Sequence, residues 1–145
     1  PWAHPILAEE GYHYSSSVAP VAHDHYGWAE APAFAHRPLG DAALVEWPIT
    51  TARVLGRTVP AGGGFFRLLP TQVTNGAVAR VNADARPAMF YFHPWEIDPG
   101  QPRVRAAPLR SRLRHYARLP AMAGKLRRLM QAHDWGRVDH ALAAA

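Results

Sequence analysis

The stretch Ala88-Met-Phe-Tyr-Phe-His-Pro-Trp-Glu96 decides how the rest of the chain is read. Its apolar run, set off by Arg86-Pro87 in front and Pro94 behind, suits a strand covered on both faces. Such a strand ends at His93. In α/β folds the carboxyl ends of strands face the ligand crevice, and an imidazole there can exchange a proton near neutral pH. His93 is therefore a candidate for proton transfer, with a hydrogen-bonded structural histidine as the alternative.

Immediately upstream, Pro70 suits a first helical position, and Val73, Ala77, Val78 and Val81 share one face up to about Asn82. Before that helix comes Val59-Pro-Ala-Gly-Gly-Gly-Phe-Phe-Arg67. Consecutive glycines let backbone approach a ligand, and N–H groups exposed in such a turn can hold an anion or oxyanion. No phosphate-binding fingerprint is present, so a plain flexible turn stays open. Strand, glycine turn, helix and strand together predict a crossover unit in a parallel sheet, with Ala43–Ile49 as a second strand.

The N-terminal part predicts a short helix with Trp2, Ile6 and Leu7 on one face, stopped by Gly11, then a strand over residues 12–18. Prolines 20, 32 and 38, with Gly27 and Gly40, predict a long loop over residues 19–41. Within it, His23-Asp24-His25 could ligate zinc or iron if a further ligand came from elsewhere, or could be a hydrogen-bonded polar loop. Downstream of His93, a loop from Pro94 to Pro108 leads into two basic helices. One carries Leu109, Leu113 and Tyr116 on a face, the other Met122, Leu126, Leu129 and Met130, with Pro120 near its start and Gly136 past its end.

With 145 residues, 48% of them hydrophobic, the chain suits one α/β unit with a genuine core. The absence of cysteine excludes disulfides, thiolate metal sites and a cysteine nucleophile. No apolar run approaches the ~18 residues needed to cross a bilayer. A net charge of +5 is concentrated from Arg103 to Arg128, where acidic residues are missing. Such a segment favours phosphate, nucleic acid, anionic lipid or an acidic glycan, or is simply a solvated face. No nucleic-acid reader motif accompanies it, so nucleic acid is not expected as a partner.

Tyr14-Ser-Ser-Ser17, His23-Asp24 with Tyr26-Gly27, Gly62-Gly-Gly-Phe-Phe-Arg-Leu-Leu-Pro70 and Phe90-Tyr-Phe-His-Pro-Trp-Glu-Ile-Asp-Pro99 resemble the C-terminal half of bacterial polysaccharide deacetylases, of the carbohydrate esterase family 4-like type. The closer resemblance is to the exosortase- or PEP-CTERM-associated branch found with exopolysaccharide loci, whose C-terminal region is carried as a domain of unknown function. It spans essentially the whole chain, including Arg114-His115-Tyr116. The resemblance implies a distorted (β/α) barrel that removes acetyl groups from a polysaccharide with a divalent metal such as zinc. In that chemistry a metal-bound water attacks the acetyl carbonyl, and a late histidine, matched by His93, serves as acid. Tyr91 falls where many relatives carry a leucine lining the acetyl pocket, and Ser15 where an aspartate is expected.

The resemblance places the family's metal-binding half upstream of Pro1, which implies a fragment of a longer protein that would be inactive alone. The expectations are then definite. Residues 1–108 form the C-terminal part of the barrel and residues 109–145 a helical extension packed on it. His93 is catalytic, Gly62, Gly63, Gly64, Phe65, Phe66, Arg67, Tyr91 and Trp95 bind substrate, and no metal ligand is assigned within the chain. The partners are a polysaccharide and the missing half of the barrel. Compartment stays open, with a bacterial cytoplasm favoured over export. The alternative is a non-catalytic module that binds an anionic glycan or a membrane surface through the basic helices.

Overall fold

The computed structural model describes residues 2–23, 26–40 and 43–143, in a mixed α/β arrangement. Helix α1 (Ala3–Glu9) stops as its sequence predicts. Gly11 takes φ +77°, and the N–H groups of Gly11 and Tyr12 turn back to the carbonyls of Ala8 and Leu7. The buried face differs from the expectation: Trp2 and Ile6 are exposed, and α1 buries His4 instead.

His4 is held by a carboxylate far along the chain. Its Nε2 lies 3.1 Å from Oε2 of the fully buried Glu46, whose Oε1 accepts the N–H groups of Ser17 and Val18 at 2.9 and 3.0 Å. A buried carboxylate is costly unless its lone pairs are used, and these three contacts use them. The knot fastens α1 to β1 (Tyr14–Ser15) and β2 (Val45–Glu46), a parallel pair with Ser15 opposite Glu46. Both strands are shorter than the sequence predicts: just past β1 the N–H groups of Ser17 and Val18 go to the Glu46 carboxylate and not to a ladder, and Glu46 also makes an isolated antiparallel bridge with His36.

Next comes a hairpin that the sequence reading passes over. Strands β3 (Thr51–Val54) and β4 (Arg57–Pro60) pair antiparallel around Leu55-Gly56, both at positive φ, 49° and 78°. A two-residue turn with both φ positive matches strand twist, but leucine is not among the residues that announce it. The glycine stretch then opens a short helix, α2 (Gly63–Leu68), and α3 (Thr71–Ala83) follows Pro70 as expected. Ala77 of α3 packs with Ala52 and Ala61, and Thr74 donates to the Ala61 carbonyl at 2.8 Å.

The expected central strand is corrected by the structure. Residues 88–92 are partly buried but belong to no ladder, and the sheets among the described residues are two two-stranded pairs, β1-β2 and β3-β4. The crossover into a parallel sheet is therefore not made, and no closed barrel is formed by the described residues. The reason lies at Thr50. Its N–H donates to the Met89 carbonyl at 2.9 Å, but its own carbonyl accepts Ala61 N–H, and Met89 N–H must turn to the threonine hydroxyl. Pairing stops after one rung. The stretch is held further along by Gly63 N–H, which donates to the Tyr91 carbonyl at 3.0 Å.

The main core lies between that stretch and the C-terminal helices. Phe66, Met122 and Leu129 form its buried centre, with Phe90, Phe92, Leu126 and Trp135 against them. Met122 and Leu129 belong to α5 (Leu119–Ala132). Between them Lys125 is buried and donates its ammonium protons to the carbonyls of Phe66, Arg67 and Leu69 at the end of α2. Desolvation, with Arg118 and Arg128 nearby, holds that ammonium below the ordinary lysine pKa. Helix α4 (Leu109–Tyr116) precedes α5, separated from it by Arg118 at φ 59°, and α6 (Val138–Ala143) closes the described chain. Leu109 and Leu113, expected to be covered, are exposed. No described helix is long and apolar enough to cross a membrane.

Candidate functional site

His93 ends the extended stretch, and Pro94 begins a 3₁₀ turn over Pro94–Ile97. Proline suits that position, since its missing N–H is one that a helix start leaves unpaired. Glu96 folds back onto the turn: its Oε2 accepts His93 N–H at 3.0 Å, and its N–H donates to the His93 carbonyl at 2.9 Å. The other carboxylate oxygen accepts Arg67 Nη1 at 2.9 Å, while Arg67 Nη2 donates to the Arg114 carbonyl at 2.6 Å. Arg67 and Glu96 are only 3% and 2% exposed, so each charge depends on the other. One ion pair thereby fixes α2, the 3₁₀ turn and α4 to one another.

Ring contacts set the imidazole itself. His93 lies flat on Trp95, with centroids 4.2 Å and planes 7° apart, and Tyr91 meets it edge-on at 5.8 Å. Tyr91 in turn fills the space left by two glycines. A Cβ on Gly62 would come within 2.5 Å of the Tyr91 carbonyl oxygen, and one on Gly63, already at φ +54°, within 2.8 Å of the Tyr91 hydroxyl. Gly62 and Gly63 thus admit Tyr91 rather than open toward a ligand. Burial, then the neighbouring Tyr26 and Glu96, push the Tyr91 phenol up to about 12.

A groove of about 650 Å³ runs past these rings. Among the residues picked from sequence, Gly64, Phe65, Arg67, Tyr91, His93 and Trp95 line it together. Gly62 and Gly63 are buried, and Phe66 is a core residue stacked edge-on against Phe90 at 5.1 Å. Sequence reasoning missed the α4 wall, where Arg112, His115 and Tyr116 line the same groove. His115-Tyr116 stood among the motifs of the resemblance, but without a role. His115 Nε2 lies 2.7 Å from Gln101 Oε1, and the Tyr116 hydroxyl accepts Val104 N–H at 3.0 Å and donates to the Pro102 carbonyl at 3.1 Å. These bonds hold the loop after the 3₁₀ turn against α4.

His23 also lines the groove, stacked on Tyr26 at 4.1 Å and edge-on to Phe65 at 6.5 Å. Its companions in the metal-ligand reading, Asp24 and His25, lie outside the described residues. Among the described residues no three His, Cys, Asp or Glu side chains come together so as to hold a metal ion. The divalent metal implied by the resemblance therefore finds no ligand set among the described residues.

A model of the family described as a domain of unknown function, DUF3473, matches residues 16–143. The chain belongs to the DUF3473 family. The match covers every described groove residue of this DUF3473 domain and also Glu46, but not His4, which lies before it. The family description states neither an activity nor an exopolysaccharide setting. No curated protein and no solved structure matches this DUF3473 chain.

Proposed function

We propose that this chain is the C-terminal portion of a metal-dependent polysaccharide deacetylase, acting on an exopolysaccharide or another amino-sugar polymer. In this reading β1 and β2 belong to a distorted barrel completed by the rest of the protein, which also supplies the metal ligands. The observation that carries the proposal is an exposed imidazole, His93, beside the rings of Tyr91 and Trp95 in a groove of ligand-site size that Phe65 also lines.

Aromatic faces pack against the C–H faces of sugar rings. His93 covers one face of Trp95, which is still 46% exposed and so keeps surface for a ring. Hydrolysis of an acetamide breaks the bond between carbonyl carbon and nitrogen, and the departing amine must take up a proton. A protonated imidazole within the groove can give it. Tyr91, titrating only near 12, stays protonated at working pH and acts as a hydrogen-bond donor rather than a base.

His93→Ala in the full-length protein tests the proposal. Acetate release from an acetylated amino-sugar polymer is expected to fall by ~10²–10⁴-fold, the usual share of a general acid, with metal content and thermal stability unchanged. Undiminished turnover would remove His93 from the chemistry, and with it the proposal's foundation.

A further inference from the structure

The groove has a charge character that acetyl removal does not itself require. Arg67, Arg112 and Arg114 border it, and Glu96 is the carboxylate among its described lining residues. Glu96 is tied to Arg67, so that pair brings no net charge. Arg112 is exposed and makes no ion pair among the described residues. Ser111, Arg112 and His115 come from neighbouring turns of one helix face, where residues three and four apart lie side by side.

The surrounding sequence points the same way. From Pro99 to His133 the sequence holds no acidic residue, so neither α4 nor α5 can neutralise that wall. The guanidinium group is the side chain whose planar fork best matches a carboxylate.

We infer that the groove accepts an acidic glycan, a polymer in which a carboxylate-bearing sugar neighbours the acetylated one, with Arg112 binding the carboxylate. The inference rests on the deacetylase reading of the same groove and names its substrate class. Trp95, Tyr91 and Phe65 take the ring faces, and the α4 wall takes the charge.

The test compares hyaluronan oligomers, in which glucuronate alternates with N-acetylglucosamine, with neutral chitooligosaccharides of equal length. Calorimetric affinity and acetate release are measured on the full-length protein. At low salt the acidic oligomer is expected to bind on the order of tenfold tighter, the scale of one charge-assisted contact. That advantage should fade as salt shortens the screening length toward about 8 Å and below. In Arg112→Gln the ratio should approach one, whereas Arg57→Gln, an exposed position on β4, should leave it in place.

Equal affinities in the unaltered protein, or an equal loss in Arg57→Gln, overturn the inference. A single-stranded oligonucleotide of the same charge that competes as well as the acidic oligomer also overturns it, in favour of non-selective polyanion binding. If acetate is released without acidic preference, the substrate class fails and the deacetylase reading stands. If acidic preference depends on Arg112 but neither oligomer loses acetate, the anion site stands and the deacetylase reading fails.

Discussion

Glu46 and Glu96 are both almost completely buried, and both accept backbone N–H groups as well as a side-chain donor. They differ in where that donor lies. Glu46 meets His4 and binds the N-terminal helix to the short parallel pair. Glu96 meets Arg67, which borders the groove, and holds the turn that carries His93 and Trp95. Burial of a carboxylate therefore marks no site by itself. What separates the two knots is whether the side-chain donor also borders the groove.

The largest effect expected from this comparison is at Arg67. Arg67→Met leaves Glu96 buried without its cation, so stability should fall by about 3–5 kcal/mol in chemical denaturation, with loss of groove binding. A change below about 1 kcal/mol would place Glu96 in the same class as a surface pair. His4→Ala should cost less, about 1–3 kcal/mol, because Glu46 keeps two N–H donors. Ligand binding measured well below the melting temperature should not change in that variant. A matching loss of binding would erase the distinction between the two knots.

The smallest effect is a titration. Because the folded phenol of Tyr91 titrates near 12 and an unfolded one near 10.0, the native state holds that proton longer. Stability from this group is complete below pH 10 and is lost as pH rises through 12. Tyr91→Phe should remove that alkaline slope in melting experiments. Glu96→Gln should bring the phenol back part of the way, whereas Glu46→Gln should not move it, since Glu96 is among the charges that raise it. Equal shifts from both would show that Tyr91 senses net charge and not its neighbour.

These contrasts also explain which parts of the fold the sequence discloses. Local signals are legible: Pro70 stands before α3 and Gly11 after α1, and Met122 and Leu129 are buried on α5 as their spacing puts them, although Met130 of the same predicted face is exposed. The adjacency of His93 and Trp95 survives because the two are near neighbours in the chain. What fails is long-range. His4 and Glu46 are separated by 42 positions, and no periodicity links them. The run 88–92 has strand composition, but whether it pairs depends on what Thr50 does with its carbonyl. The three glycines read as an open turn, yet two of them exist to seat Tyr91. Leu55, at positive φ, carries no turn signal at all.

Lys125 has a consequence for the chemistry of the surface. It is the sole lysine in the sequence, and its nitrogen is spent on the carbonyls that end α2. Every exposed cation of the described chain that does not depend on histidine is therefore a guanidinium, a poor nucleophile toward acyl donors. A chain proposed to work among acetyl groups thus offers no accessible side-chain amine to be acylated in its folded state. The same arrangement makes that one amine a reporter: it becomes reactive only when α5 lifts away from α2.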